Sequence, residues 1–366
     1  MERQASERER PGDATAAAGQ AAAPAAAAPP LLPEHGRLRT RAIATALDLA
    51  LHATLLVSPR PGALLVRRVF AAGGARTARA LARHAPDGVD LLRDERYGPG
   101  RGMLLDLYRP VGAEDPLPLV VWFHGGGWVG GSKEELAGWM ATIAARGHAV
   151  AAPRYGLAPG TRYPAALSEA MAALAHLRRD AGRLGLDADR IVLAGDSAGA
   201  QLAAQLAALA TTPGYAEQVG VPSTIEPERL RGVVLACGPY DLDLLGAGRA
   251  RAATTADRLV RAVLWAWSGR RRYAADRRFA TASVVRHLSP AFPPALITVG
   301  NADPLRAHSE LLAARLAEAG AEVETLFFGP DHRPPLGHEY QFDLDGDAGR
   351  RFLARMLDFL ARRLAP

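Results

Sequence analysis

The sequence has almost no cysteine and almost no lysine. Cys237 is the only cysteine among 366 residues, which excludes an intramolecular disulfide and a metal site built from cysteines. We expect Cys237 to follow a buried strand and to pack as a small apolar side chain. Lys133 is the only lysine, so the net charge of +6 is carried almost entirely by arginine. No dense basic stripe interleaved with aromatic residues occurs, and we therefore do not expect nucleic-acid binding.

Long apolar runs are also missing. The first apolar run, residues 42–57, is short for a bilayer span and contains Asp48 and His52. Its large apolar side chains recur every four residues, which predicts an amphipathic helix. Two interpretations stay open: the helix packs on the main domain, or it makes peripheral contact with a membrane. No signal-peptide pattern precedes it, so we expect a cytoplasmic protein with or without such a contact.

The domain organisation follows from changes in composition. Residues 1–35 are charged and then rich in Ala and Pro without a period, which predicts a disordered tail. Residues 36–88 are predicted to form an N-terminal helical segment, with a second helix from about Gly62 to His84. Residues 89–366 form the predicted main domain, and a cap-like insertion interrupts it at about 240–288. The length is ample for one large α/β domain with a buried core.

Strands and helices alternate through the main domain. Runs of apolar residues between turn signals indicate strands buried on both faces of a sheet. We predict strands within 94–108 and at 119–123, 148–152, 191–194, 232–236, 295–299 and 322–328. The helices predicted between them imply an α/β fold, with a mostly parallel central sheet and helices on both faces.

The clearest chemical signal is the run Gly195-Asp196-Ser197-Ala198-Gly199, which lies between a predicted strand and a predicted helix. A G-x-S-x-G sequence in that context predicts a nucleophile elbow, a sharp turn that presents the serine hydroxyl at the end of the sheet. The two glycines are expected because the backbone must pass close to itself at that turn. We therefore predict that Ser197 is a nucleophile.

A serine nucleophile needs hydrogen-bond donors for the oxyanion that forms on its substrate. The run His124-Gly125-Gly126-Gly127-Trp128 directly follows the predicted strand at 119–123. Glycines let the backbone N–H groups approach a ligand without side chains in the way. We predict that this glycine loop supplies such donors together with the N–H of Ala198, the residue after the nucleophile.

The nucleophile also needs a base and a residue that orients this base. Asp303 follows the strand at 295–299 and is the predicted acid, and Asp241 and Asp243 are weaker alternatives. His338 lies in the loop after the strand at 322–328 and is the predicted base, with His332 in the same loop as its rival.

For several other residues, the sequence predicts a structural role or leaves the role open. We expect His308, one turn into a helix, to lie at the surface or to contact a cap. The aromatic residues Trp128, Trp265 and Trp267 are candidate walls of a substrate pocket, with packing in the core as the alternative. No motif requires a cofactor or a metal, so we expect neither.

The two glycine-rich runs together resemble the signatures of the hormone-sensitive-lipase-like branch of the α/β-hydrolases, HGGGW at 124–128 and GDSAG at 195–199. Matches at Tyr155 to Pro159 and at Asp303 to Leu305 support the resemblance, which covers roughly residues 90–365. The chain order of Ser197, Asp303 and His338 is also the order of that fold's catalytic triad.

The resemblance implies an α/β-hydrolase fold and a serine carboxylesterase that acts on short- to medium-chain esters through an acyl-enzyme, with no cofactor or metal. It also implies that Gly125, Gly126 and Ala198 donate to the oxyanion and that the N-terminal helical segment at 36–88 helps to form a cap. The substrate would be a small ester molecule, and the sequence leaves the oligomeric state open. An amidase, a deacetylase or an acyltransferase on the same triad stays open as an alternative. A non-catalytic small-molecule binding protein on this fold is a further one, although such proteins should lack a triad member.

Overall fold

A single mixed sheet organises the protein, as seen in a computed structural model that describes residues 57–246 and 254–366. The predicted tail at 1–35 and all but the last residue of the predicted helix at 42–57 lie outside the described residues. The eight strands are β1 (Val89–Arg96), β2 (Leu104–Pro110), β3 (Leu117–Phe123), β4 (Ala149–Pro153), β5 (Leu186–Asp196), β6 (Leu230–Ala236), β7 (Ala295–Val299) and β8 (Val323–Phe327).

The strand order in the sheet is β1-β2-β4-β3-β5-β6-β7-β8. The pairs β1·β2 and β2·β4 are antiparallel, and all later pairs are parallel. The predicted mostly parallel sheet is therefore confirmed. Because the carboxyl ends of parallel strands lie at one edge, the loops after β3, β5, β7 and β8 meet there, as ligand-binding loops do in open α/β sheets.

Helices cover both faces of this sheet. Those longer than one turn are α1 (Arg60–Ala82), α2 (Ala137–Ala144), α3 (Ala165–Arg179), α5 (Ala198–Thr211), α6 (Tyr215–Val219), α7 (Thr255–Ser268), α9 (Arg306–Glu318) and α10 (Asp347–Arg363); α4 (Ala181–Leu184) and α8 (Arg277–Ala280) are single turns. None of the helices in the described ranges is long and apolar enough to cross a bilayer.

The core splits into two layers because side chains of a strand alternate between its faces. In β3, Leu119 and Val121 pack with the layer that contains α3, α5 and α9. Val120 and Trp122 alternate with these residues along the strand and pack with the layer that contains α2 and α10. All four side chains are almost fully buried, as predicted for a central strand covered on both sides.

A third apolar cluster lies above the carboxyl edge of the sheet. It joins Ala63 and Val66 of α1 to Val263, Leu264 and the other apolar residues of α7. The insertion between β6 and β7 therefore packs on the N-terminal helix. A capping box fixes the start of α7, where Thr254 and Asp257 bond to each other's backbone N–H groups. The predicted helix from about Gly62 to His84 matches α1 closely.

Candidate active site

Ser197 occupies a strained turn between β5 and α5. Its backbone angles, φ 51° and ψ −121°, lie in a region that L residues rarely adopt. A hydrogen bond from the Ser197 N–H to the carbonyl of Ala236 (2.8 Å) ties the turn to β6. A Cβ on Gly195 would lie 2.5 Å from the carbonyl carbon of Gly199, so only glycine fits at this crossing. This is the close approach that the elbow sequence predicts.

Three of the predicted side chains meet at the carboxyl edge of the sheet. His338 Nε2 lies 2.9 Å from Ser197 Oγ, and His338 Nδ1 lies 2.9 Å from Asp303 Oδ2. The other carboxylate oxygen of Asp303 accepts the Leu305 N–H at 2.7 Å, which fixes the side chain. With Nδ1 donating to the carboxylate, the neutral imidazole presents a free acceptor at Nε2 to the serine hydroxyl.

The surroundings of His338 favour its protonated form. Loss of water alone would lower the pKa of His338, but the hydrogen-bonded carboxylate of Asp303 outweighs this and raises its pKa above the usual value. Cys237 follows β6, is fully buried, and burial raises the pKa of its thiol. Cys237 is buried, as the sequence predicts. Its contact with His338 was not predicted.

The rival residues lie elsewhere. His332 is held by its own loop, with Nδ1 3.1 Å from the Pro334 carbonyl. Asp241 accepts the hydroxyl of Ser283 at 3.0 Å. The prediction that His308 lies at the surface is wrong: its side chain is buried, Nδ1 accepts the Asp241 N–H at 3.2 Å, and burial lowers its pKa to about 4. The short connection before α9 turns this face of the helix toward the loop after β6.

The glycine loop after β3 is held by its own histidine. His124 is buried, and its Nδ1 bonds to the carbonyl of Gly125 at 2.8 Å. Burial lowers the pKa of His124 to about 4, so the ring is neutral and Nδ1–H donates at physiological pH. The ring also stacks on Tyr155, whose hydroxyl donates to the His124 carbonyl at 2.6 Å. These contacts fix the direction in which the following peptides point.

The three predicted oxyanion donors have different surroundings. The backbone N–H groups of Gly126 and Ala198 make no hydrogen bond within the described part of the chain, and the same is true of Gly127. The backbone of Gly125 differs in that it lies against the carboxylate of Asp196. A Cβ on Gly125 would lie 2.3 Å from Asp196 Oδ2, which shows how tightly the carboxylate packs on the loop.

Asp196 is a buried carboxyl group beside the nucleophile. The indole N–H of Trp122 donates to its Oδ1 at 2.8 Å. Burial raises the pKa of Asp196 well above its usual value and the nearby Glu339 raises it further, against the opposing effects of Trp122, Gly125 and His338. In the elbow motif, Asp196 is only the variable position before the serine. No sequence signal showed that its side chain connects β3, β5 and the glycine loop.

The three tryptophans differ in position. Trp128 and Trp267 stack face to face, with ring centroids 3.9 Å apart and an interplanar angle of 8°. Both are almost fully buried in the cluster above the sheet edge. Trp265 only packs against that cluster, and the guanidinium of Arg271 lies 5.9 Å from its ring centroid.

The side chain of Arg67 connects helix α1 to two loops near the site. Arg67 donates to the carbonyls of Val129 and Ala158, the latter at 2.8 Å. The Phe70 ring lies against Gly127, 3.0 Å from the position that a Cβ would take there. The sequence gave no signal for either contact, because arginines are frequent throughout the chain.

Two groups of three described side chains have the spacing to hold a metal ion. The first, Cys237, Asp303 and His338, belongs to the site described above. The second, Glu95, His176 and Asp180, is an ion-pair network between β1 and the end of α3, in which Arg183 donates to both carboxylates. The side chains of both groups already have hydrogen-bond partners within the protein.

A serine, a histidine and an aspartate hydrogen-bonded in series at the carboxyl edge of such a sheet are the arrangement typical of serine hydrolases. The comparisons agree with this class. The profile of a family with the α/β-hydrolase fold matches residues 120–331. The carboxylesterase NlhH of Mycobacterium tuberculosis is 32% identical over 311 residues, which cover 80% of this chain and 91% of that protein.

Solved structures give the same result. Esterase LipW from Mycobacterium marinum superposes with a TM-score of 0.60 at 28% identity, covering 83% of this chain and 90% of its own. Esterase B from Lactobacillus rhamnosis has a TM-score of 0.68 at 23% identity, covering 87% of this chain and 97% of its own, which shows a shared fold. The chain belongs to the α/β-hydrolase family, in its hormone-sensitive-lipase-like branch of carboxylesterases.

Proposed function

We propose that this carboxylic ester hydrolase acts through an acyl-enzyme on Ser197 and takes esters of short to medium acyl chains. The observation that carries the proposal is the hydrogen-bonded series from Ser197 Oγ through His338 to Asp303, with both contacts at 2.9 Å. A serine hydroxyl is a weak nucleophile at neutral pH, and a base at this distance is what activates it.

The proposed reaction has two halves. His338 Nε2 takes the Ser197 proton as the oxygen attacks the ester carbonyl, and Asp303 stabilises the imidazolium that results. The imidazolium then gives its proton to the leaving alcohol. In the second half, His338 activates a water molecule, which attacks the acyl-enzyme and releases the acid. The raised pKa of His338 favours the charged intermediate form of the ring.

The oxyanion is proposed to bind at the N–H groups of Gly126 and Ala198, which have no other partner among the described residues. Gly127 is a further donor of the same kind that the sequence reasoning did not include. Gly125 is the remaining predicted donor, and its backbone lies against the carboxylate of Asp196. Loss of one such donor typically costs about 10²–10³ in rate.

We further propose that the N-terminal helices allow peripheral contact between a cytoplasmic protein and a membrane. Several large apolar side chains of α1, or just before it, are exposed: Val57, Leu64, Val69 and Phe70. Apolar side chains exposed in this way on a helix favour a lipid interface. Co-sedimentation with vesicles of anionic lipid tests this, and a protein that stays in the supernatant at low salt contradicts it.

The activity is tested with p-nitrophenyl esters from acetate to palmitate. We expect the wild-type protein to hydrolyse the shorter esters, and Ser197→Ala and His338→Ala each to lose nearly all turnover. His332→Ala is the matched control, because its ring lies in the same loop and contacts neither Ser197 nor Asp303. A burst of p-nitrophenol equal to the enzyme concentration would support the acyl-enzyme.

Two results would contradict the proposal. If the wild-type protein hydrolyses none of these esters, the esterase activity is wrong. If it hydrolyses anilides or transfers the acyl group to an added alcohol faster than to water, the amidase or acyltransferase alternative replaces it.

A further inference from the structure

The carboxylate of Glu339 lies beside the ring of His338, the residue that precedes it in the chain. Glu339 Oε1 is 3.9 Å from His338 Nε2, and the same nitrogen is 2.9 Å from Ser197 Oγ. The exposed fraction of the Glu339 side chain is 33%. This carboxylate is therefore close to the proposed reacting atoms and can also be approached from solvent.

The backbone around Glu339 fixes the position of this side chain. Its angles, φ 60° and ψ 30°, lie in the left-handed region that favours glycine. On one side, the ring of His338 is held by Asp303 at 2.9 Å. On the other side, Tyr340 is buried, and its hydroxyl bonds to the hydroxyl of Thr298. Strained backbone of this kind, held by its surroundings, is found most often at functional sites.

The charge of Glu339 has no arginine partner. Among the residues that the structure describes, its side chain makes no hydrogen bond and its one ion pair is the contact with His338. Other acidic residues are paired more fully, as Glu324 and Asp180 each contact at least two arginines. Asp196, the other carboxyl group beside the glycine loop, is only 2% exposed and cannot be reached by a substrate. Glu339 is therefore free to pair with a positive charge on a substrate.

The reaction geometry determines which part of an ester comes close to Glu339. The leaving oxygen must come within about 3 Å of His338 Nε2 to receive its proton. Because Glu339 Oε1 is 3.9 Å from that nitrogen, the leaving oxygen lies at most about 7 Å from the carboxylate. A positive group that is joined to this oxygen by a short chain can then approach the carboxylate and be attracted by it.

We propose that Glu339 is a specificity-determining residue that favours esters of cationic alcohols, such as choline and other amino alcohols, over uncharged esters of the same shape. The inference rests on the proposed esterase function and names the class of leaving group that the site prefers. Because the side chain is one-third exposed, water and salt screen its charge. The charge should therefore change kcat/KM by only about two- to fivefold.

The experiment compares acetylcholine with neohexyl acetate, its uncharged isostere in which a carbon replaces the quaternary nitrogen. Titration of the released acid at constant pH and low salt gives kcat/KM for each ester. Choline is also the better leaving group, so the decisive quantity is how the ratio of the two kcat/KM values differs between proteins. Glu339→Gln should lower the ratio about two- to fivefold, because the amide keeps the shape and removes the charge. Glu339→Lys reverses the charge and should lower the ratio further.

Glu318→Gln is the matched control, because it removes an exposed carboxylate that pairs with Arg315 on α9. Its ratio should equal that of the wild type. Both esters are measured at one pH in each protein, so an effect of Glu339 on the pKa of the base cancels from the ratio. High salt should lower the ratio of the wild type toward that of Glu339→Gln. Thermal unfolding checks that each variant is folded, and the salt dependence of the wild type tests the same charge if a variant is not.

The outcomes separate this inference from the function on which it rests. If the wild type hydrolyses neither these two esters nor any p-nitrophenyl ester, the proposed function fails. If folded Glu339→Gln keeps the wild-type ratio, or the wild-type ratio does not respond to salt, the esterase proposal stands and the role of Glu339 is wrong. The same conclusion follows if an enzyme that hydrolyses p-nitrophenyl acetate does not hydrolyse acetylcholine.

Discussion

The carboxylate of Glu339 lies 3.9 Å from Nε2 of His338, the atom that faces Ser197 Oγ. Glu339 has a positive φ of 60°, so the backbone turns its side chain back over the site. The same carboxylate lies 2.9 Å from the position that a Cβ on Gly125 would take. An acidic group thus borders the base, the glycine loop and Asp196 at once.

Glu339→Gln should shift the pH dependence of catalysis. An ionised carboxylate near Nε2 favours the imidazolium and so raises the pKa of His338, in addition to the effect of Asp303. Because His338 must be neutral to act as the base, the acidic limb of kcat/KM should move to lower pH in the variant. Glu339 is about one-third exposed, so we expect a shift of only a few tenths of a unit.

The control for that measurement is Glu318→Gln, which removes an exposed carboxylate paired with Arg315 on α9. Its pH profile should match the wild type. An acidic limb that stays in place in Glu339→Gln, or that moves to higher pH, would show that Glu339 does not act on the base.

Asp303→Asn should reduce kcat far more than Asp241→Asn. Asp303 bonds to His338 Nδ1, and an amide there no longer stabilises the imidazolium or selects the required tautomer. A loss of about 10⁴ is the expected scale for such a change in a serine hydrolase. Asp241 bonds to Ser283 instead, so its variant should keep most of kcat. Equal losses of kcat in the two variants would show that Asp303 is not the acid that orients His338.

Asp196→Asn should change how stability depends on pH. Burial, and then Glu339, raise the pKa of Asp196 in the folded protein above that of an unfolded aspartate. The folded protein therefore binds the proton of Asp196 more tightly than the unfolded chain does. The stabilisation that results is lost as the pH rises from the pKa of Asp196 in the unfolded chain toward its pKa in the folded protein. We expect the urea midpoint of unfolding to decrease from pH 5 to pH 8, and this decrease should be smaller in Asp196→Asn than in the wild type. A fall of the same size in both proteins would contradict the raised pKa.

Lys133→Met should destabilise the fold. The only lysine of the chain is 3% exposed, and its ammonium lies 2.7 Å from Asp106, which is also buried, and 3.0 Å from Asp94. Removal of one partner from a buried pair leaves the other charge uncompensated and costs about 3–5 kcal/mol. The free energy of unfolding in urea measures this.

Arg315→Met, which breaks the exposed pair with Glu318, is the comparison and should cost at most about 1 kcal/mol. Addition of Asp106→Leu to Lys133→Met should recover part of the loss. A Lys133→Met protein as stable as Arg315→Met would mean that the buried pair contributes little.

The sheet could be predicted from the sequence because its signals are local. Apolar runs such as 295–299 and 119–123 are recognisable by composition alone, and the structure places β7 and the core of β3 there. The glycine loop follows β3 directly, and the elbow follows β5. Once the sheet is known to be parallel, the loops after its strands must share an edge, which is why residues as distant as Ser197 and His338 could be paired before their coordinates were known.

What the sequence did not reveal depends on contacts between side chains from distant parts of the chain. Nothing local shows that Cys237 contacts His338, or that Arg67 of α1 holds the carbonyl of Ala158. His308 shows the same limit, because one turn of a helix can face solvent or core depending on how the preceding loop closes. The position of Gly125 against Asp196 likewise depends on the pairing of β3 with β5.

The sheet order has a consequence for the timing of activity during synthesis. Ser197 and its elbow can form once β3, β5 and β6 have paired, since the Ser197 N–H is held by Ala236. The proposed base, His338, comes from the loop after β8, which among the described strands pairs with β7 alone, at the edge of the sheet. If the proposed roles hold, a growing chain that folds from its N-terminus carries an unactivated serine until residue 338 has emerged. Activity would then begin only after the edge strand of the sheet has paired with its neighbour.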